Sequence, residues 1–375
     1  MPSPVDHYQP SRLDTIARAR RNLLAGEPGA APLVAPWVER SWRRCLQQGL
    51  QPQADAEFDL ISGALVRLTA EGNAQLVQTA KPLLEHLGKA IANTGYFAIL
   101  TNQHGVVVDV NGPIDRSDRR ADLITRIGTD LSEQRVGTTA IGSALTELQP
   151  VWLHRGEHFF SNTAAYSCAG APVYGAHGSC VGMLDLTGID AVERPELCHL
   201  VTQVAAQISN AMVLAQNHRL LLRLNWPGST LCGESDGLVC LDADGWVTGA
   251  NPTARHMVSG LQSADARAVH AEEVFALPLQ MLFDAARHGQ GVLELPLWTG
   301  LRLHALAMSS APGSTASQGY GLAQASQAGA GLKDMETALI RQTVQQAKGN
   351  VARAAQILGI SRATVYRKLG RPPKS

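Results

Sequence analysis

Few folds can accommodate the run Asn350-Val351-Ala352-Arg353-Ala354-Ala355-Gln356-Ile357-Leu358-Gly359-Ile360-Ser361-Arg362-Ala363-Thr364-Val365-Tyr366-Arg367-Lys368-Leu369 near the end of the chain. Asn350 is a good N-cap for a helix over 351–358, whose apolar Val351, Ala354, Ala355 and Leu358 recur at i, i+3, i+4, i+7. Gly359 supplies the left-handed residue of a sharp turn, and Ser361 caps a second helix with Val365 and Leu369 on its inner side. Ala355 is small where two helices would cross, and Ile360 and Val365 seat the second helix on the first. The spacing predicts a helix-turn-helix. Its outer face carries Arg362, Thr364, Tyr366, Arg367 and Lys368, which reach base edges and phosphates; with Asn350 and Ser361 they are the candidate DNA contacts. Charge agrees, because Lys333, Arg341, Lys348, Arg353, Arg362, Arg367, Lys368, Arg371 and Lys374 face Asp334 and Glu336 in a chain of net charge +0. The bland alternative is a solvated helical hairpin with a basic tail.

A chain of 375 residues exceeds one ordinary core and suggests two or three domains. No uninterrupted apolar run approaches the roughly 18 residues of a membrane span, and residues 1–10 lack a signal-peptide pattern, so a cytoplasmic protein without membrane contact is expected. Cys45, Cys168, Cys180, Cys198, Cys232 and Cys240 are scattered without metal-ligand spacing, so reduced thiols and no metal or cofactor are expected.

Residues 1–73 read as a helical region. Val38, Trp42 and Cys45 share one helix side, while Arg40, Arg43 and Arg44 suit either nucleic acid or the wet face of a helix docked by its Trp. A helix over 76–93 then leads into strands at 96–101, 106–110, 150–153, 166–173 and 179–186, and a helix over 195–224 closes an α+β sensor module at 74–224. The segment 137–142, with its two threonines, caps a helix from about 139 to 148 rather than cradling phosphate, since no Lys or Arg lies in it.

The segments Ile127-Gly128-Thr129-Asp130-Leu131-Ser132-Glu133, Val136-Gly137-Thr138-Thr139-Ala140-Ile141-Gly142-Ser143-Ala144-Leu145, Gly156-Glu157-His158-Phe159 and Gly182-Met183-Leu184-Asp185-Leu186-Thr187-Gly188 resemble the GAF sensor of the acetoin-catabolism-regulator family, and Ser41-Trp42-Arg43-Arg44-Cys45 resembles a segment of that family's N-terminal region. The C-terminal motif resembles a Fis-type helix-turn-helix, which implies a supporting dimerisation helix over 335–347 with Leu339, Ile340, Val344 and Ala347, and an inverted-repeat operator spaced about 34 Å. That family consists of sigma-54 enhancer-binding activators with a central AAA+ ATPase. Here neither its phosphate loop nor its polymerase-contact loop is present, and Gly88-Lys89-Ala90 lacks the required hydroxyl residue. A second departure is Thr139, where the family often has Asn. In the ATPase position, Ser235-Asp236-Gly237 through Asn251-Pro252-Thr253-Ala254 reads as strand, Asp-x-x-Gly turn, strand and Asn251 capping a short helix, which resembles the opening of a PAS domain, with further strands at 291–297 and 301–308, and 309–332 reads as a flexible linker before 333–375.

His154, Glu157, His158 and Cys168 lie close in sequence. A metal site, a Cys-His nucleophile, loop fixation and effector contact all remain open, and Cys168 reads either as an inert buried thiol or as a redox switch. Tyr96, Glu157, His158, Cys168 and Asp185 are the candidate effector contacts, and no catalytic residue is assigned. The expected fold class is multidomain α+β: GAF-like and PAS-like α/β sensor domains before a small all-α Fis-type domain. The expected function is a non-enzymatic, dimeric one-component transcription regulator that binds operator DNA and a small organic effector without ATPase-driven sigma-54 activation. RNA polymerase or a full-length relative is the expected protein partner. An adaptor that modulates a full-length activator through protein contact is the alternative.

Overall fold

A strand covered on both faces reads as a continuous apolar run, and Tyr96–Asn102 (β1) is buried at every position. The computed structural model describes residues 11–26, 33–59, 61–262, 269–289 and 291–310, together with Val351, Arg353, Arg362 and Val365. The chain divides into a unit Met1–Gly313 and a unit Ser314–Ser375. Within the first unit the described helices, in chain order, are α1 (Arg12–Leu24), α2 (Pro36–Gln47), α3 (Gly63–Gly72), α4 (Ala74–Ala90), α5 (Arg119–Ile124), α6 (Glu133–Val136), α7 (Ala140–Glu147), α8 (Leu197–Leu214), α9 (Pro252–Met257), α10 (Ala271–Val274) and α11 (Leu279–Arg287).

β1 joins β2 (Val107–Asn111), β3 (Val151–His154), β4 (Tyr166–Tyr174) and β5 (Cys180–Ile189) in an antiparallel sheet of order β2-β1-β5-β4-β3. Side chains alternate between its faces. Tyr96, Ala98, Leu100, Ala169, Ala171, Leu184 and Leu186 pack with α4 and α8 on one face. Phe97, Ile99, Tyr166, Cys168 and Met183 lie on the other, in a core shared with α1, α2, α5 and α7. Composition alone would let α8 cross a bilayer, yet Val201, Ala205, Ile208 and Met212 are buried in this core. Gly182 opposes β1 so closely that a Cβ there would sit 2.3 Å from the Thr101 carbonyl oxygen.

The second sheet corrects the helix expected over 195–224. α8 stops at Leu214, and Leu220–Asn225 is a strand, β6. It is the central strand of a sheet ordered β8-β7-β6-β10-β9, with β7 (Gly237–Leu241), β8 (Val247–Ala250), β9 (Leu293–Pro296) and β10 (Arg302–Ser309). Leu220, Leu222 and Leu224 enter one core with α9, α10 and α11, while Leu221 enters a second core with Val213, Leu238 and Cys240. Burial on both faces removes the alternation that separates strand from helix. The second sheet therefore begins ahead of the expected 224/225 boundary. The central strand of the first sheet, β5, is its last in sequence, and the central strand of the second, β6, is its first. Asn251 caps α9 as expected, its side-chain oxygen accepting from Ala254 N at 2.8 Å and also from Leu238 N at 2.9 Å. β10 runs through Ser309, and Ser310 N donates to Arg219 O at 3.0 Å, so the linker does not begin at 309.

The two sheets meet at the β4–β5 hairpin. Ala176 O accepts from Ala250 N at 2.9 Å and from the Arg255 guanidinium at 3.0 Å. Arg255 also donates to Ala250 O at 3.1 Å and Leu261 O at 2.5 Å, and burial lowers its pKa.

In the second unit Val351, Arg353, Arg362 and Val365 are helical; Val365 is buried and Arg362 exposed, as their expected inner and outer placements require. Asn350, Ser361, Thr364, Tyr366, Arg367, Lys368, the helix over 335–347 and the rest of the linker lie outside the described residues.

Leu222→Ala should destabilise the first unit by about 2–5 kcal/mol, the cost of a cavity in a closed core. Chemical denaturation measures it, and a loss below about 1 kcal/mol would contradict a central, doubly covered β6.

Candidate functional site

Side chains two apart on a strand share a face, so β5 presents Asp185 and Thr187 beside Cys168 of β4, in the register Cys168↔Thr187. These three line a cavity of about 30 Å³ with apolar Phe58, Ile99, Ile124 and Leu131 and with Thr139, His158 and Tyr166. That volume holds a water-sized group; an organic molecule needs its walls to move.

The polar atoms of this cavity form an incomplete network. Thr187 Oγ1 donates to Asp185 Oδ2 and lies 3.5 Å from Cys168 Sγ, which leaves the thiol as donor to the hydroxyl. Asp185 Oδ1 is buried without a hydrogen-bond partner among the described residues. Burial pushes its carboxyl up to about 7, against the lowering effect of Thr187. His158 Nδ1 lies 2.9 Å from Arg155 O, so it carries the proton. Its Nε2 is therefore an acceptor, and it too is buried and unpartnered. Burial holds the ring pKa down to about 4, so it is neutral at physiological pH. Each unpartnered buried atom costs about 1–3 kcal/mol, and two such residues lining one cavity mark it as the candidate binding site. Burial also raises the Cys168 thiol well above its ordinary value, with the Asp185 charge adding to the effect, which keeps it protonated and favours the inert reading over a redox switch.

His158 belongs to the segment that leaves β3, and the N-terminal helices hold that segment from outside. Arg20 donates to Gly156 O at 3.0 Å, to His158 O at 2.5 Å and to Phe159 O; Trp42 Nε1 donates to Glu157 O at 2.8 Å. The Arg20 guanidinium lies 5.7 Å from the Trp42 ring centre, a cation–π contact. Below Trp42, Ser41 Oγ donates to Glu133 Oε2 at 2.6 Å and lies 2.7 Å from Thr138 Oγ1, while Arg44 pairs with Glu133 at 2.7 Å and with Glu147 at 3.1 Å. Arg44 is thus a part-exposed arginine tied to two carboxylates that are themselves nearly buried. Arg40 also pairs with Glu147, and Arg43 pairs with Glu39 within α2. Two glycines permit this closeness. Gly137 has φ +66 and lies against Phe159, and a Cβ on Gly142 would meet Glu133 N at 2.9 Å. Thr139 caps α7 through Gly142 N at 3.1 Å, as expected.

Of the five candidate effector contacts, His158, Cys168 and Asp185 line the cavity together. Tyr96 does not: it lies on the opposite sheet face and its hydroxyl donates to Val192 O at 2.9 Å. Glu157 also turns away, accepting from Arg12 at 3.0 Å and from His154 N at 2.7 Å. His154 lies 2.8 Å from Ser167 Oγ. Among the described residues, no three His, Cys, Asp or Glu side chains group as metal ligands. Phe58, Ile124, Leu131 and Thr139 were not anticipated as cavity residues; the Thr139 departure was the available signal for one of them.

Residues 13–210 match the family described as "MimR, N-terminal domain", and residues 331–371 match "Bacterial regulatory protein, Fis family". The chain is 32% identical over 232 residues to the acetoin catabolism regulatory protein of Cupriavidus necator, a match covering 60% of this chain and 34% of that protein. It is 25% identical over 202 residues to the propane 2-monooxygenase operon transcriptional activator MimR of Mycolicibacterium goodii, covering 53% of this chain and 33% of that one. Among solved structures, the DhaR(N)–DhaL complex of E. coli aligns with a TM-score of 0.45 and 14% identity over 74% of this chain and 100% of that chain. The chain thus spans about a third of the length of the curated relatives it matches.

Two outcomes follow from the site. Asp185 is raised in the folded state, so its contribution is full below the unfolded carboxyl value of about 3.9 and is lost as pH rises to about 7. Asp185→Asn should gain stability relative to wild type across that window and hold a constant advantage above it; a gap that does not change with pH would contradict the burial. Arg44→Ala leaves Glu133 without its cation and should cost toward the lower end of about 3–5 kcal/mol, given the part-exposed arginine.

Proposed function

This chain belongs to the MimR N-terminal domain family, and from that membership we infer a one-component transcription regulator that senses a small molecule in its first sheet domain and binds DNA through its Fis-type helix-turn-helix. The observation that carries the sensor reading is the pair of unpartnered atoms, Asp185 Oδ1 and His158 Nε2, on one largely apolar cavity. His158 Nε2 accepts only, and the Asp185 carboxyl, with a pKa near 7, donates or accepts. An uncharged molecule with a hydroxyl for the imidazole and a second oxygen for the carboxyl answers both, and the apolar wall excludes phosphates and other strong anions.

The antiparallel five-stranded sheet with helices on both faces supports a GAF-like first module, and the Asn251-capped opening supports a PAS-like second one. With no phosphate loop in the sequence, the reading has the protein act at a promoter without ATP hydrolysis, as a homodimer on an inverted repeat, by contact with RNA polymerase or by competing with a full-length relative. Arg362, exposed on its helix, is the arginine assigned to base readout.

Selection from random DNA by the intact protein should enrich an inverted repeat. Arg362→Ala should lose roughly 1–3 kcal/mol on that repeat and relax its sequence preference. Equal weakening on random DNA would reduce Arg362 to a phosphate contact. A thermal-shift screen of small neutral alcohols and ketones tests the sensor: stabilisation by a compound that is lost in both Asp185→Ala and His158→Ala supports it. Stabilisation unaffected by either substitution would move the site elsewhere.

A further inference from the structure

α1 carries Arg12, Ile16 and Arg20 at i, i+4 and i+8, one face of the helix. All three are spent on the segment that bears His158. Arg12 bridges Glu157 at 3.0 Å and Glu193 at 2.6 Å. Ile16 lies directly over Gly156, where a methyl would be 3.3 Å from its Cγ2. Arg20 binds the carbonyls of Gly156, His158 and Phe159. The inner side of the same segment is the His158 wall of the cavity. α2 is fixed by the buried Val38, Trp42 and Cys45 and by the Arg44–Glu133 pair, whereas Ile16 is the one buried residue of α1. Local opening begins where the fewest apolar contacts must be lost.

We propose that α1 is a strap that closes the cavity: its stripe of Arg12, Ile16 and Arg20 holds the His158 wall shut, and the wall opens when α1 lifts. Because any molecule larger than a water-sized group must displace a wall, cavity access and α1 docking are linked. This goes beyond the effector reading and does not depend on it, since the strap exists whichever molecule uses the cavity. Arg20 is a positioning residue that acts through the segment backbone.

The protein contains its own probes. Cys168 lines the cavity, and Cys240 lies fully buried in β7, in the second sheet. Both thiols react as thiolates only when exposed. The intact protein is treated with iodoacetamide under native conditions and alkylation is followed at each cysteine by peptide mass spectrometry. In Arg20→Gln the Cys168 rate should rise by about tenfold or more, the size expected for one lost charge-assisted hydrogen bond, with Cys240 unchanged. Arg12→Gln, at the other end of the stripe, should act in the same direction. A parallel rise at Cys168 and Cys240 would show general destabilisation, and an unchanged Cys168 rate in both variants would show that the wall opens elsewhere; either result overturns the strap. Neither depends on the thermal-shift screen, so its failure and the strap's remain distinguishable.

Discussion

Backbone carbonyls buried outside a sheet need donors from somewhere, and between β3 and β4 four consecutive carbonyls, Gly156 to Phe159, find them in side chains of the N-terminal helices. Arginine suits the task, because its fork of N–H donors serves several acceptors at once and its charge is weakly hydrated. Burial of Arg20 lowers its pKa while it remains a cation held by carbonyl oxygens and the Trp42 face. Much else follows from this requirement. Trp42 must be buried with its N–H inward, α2 must be pinned by Ser41 and Arg44, and Glu133 must sit within reach of both. The N-terminal helices thereby share the core beneath the first sheet.

Held from outside, the segment presents His158 inward with a fixed tautomer. β4 and β5 supply the facing groups, and their hairpin continues to Ala176, where the second sheet is attached through Ala250 and Arg255. The strands that carry Cys168, Asp185 and Thr187 therefore lead from the cavity wall, through a register shift at Val173 and Tyr174, to the turn that contacts the second sheet.

Periodicity and capping made much of the fold legible in the sequence. The strands of the first sheet, the Thr139 and Asn251 caps and the helical, buried Val365 were readable because each rests on local chemistry. β6 was not readable, since Leu220-Leu221-Leu222 is apolar on both sides and continues the composition of α8. Of the residues expected at the candidate site, Asp185, His158 and Cys168 line the cavity, whereas Tyr96 and Glu157 face other partners, which depends on register and on the distant Arg12. Arg20 was invisible for the same reason: its acceptors lie more than a hundred residues away as backbone atoms, which leave no trace in side-chain pattern.

His158 stands neutral, with its proton on Nδ1 and Nε2 left as an acceptor. Long-range proton–nitrogen NMR of the intact protein at neutral pH reads that state directly. The predicted result is a neutral ring of the Nδ1–H form that resists protonation until pH approaches about 4. A cationic ring, or an Nε2–H tautomer, would contradict it, because the segment fixed by Arg20 and Trp42 would then not be presenting an acceptor to the cavity.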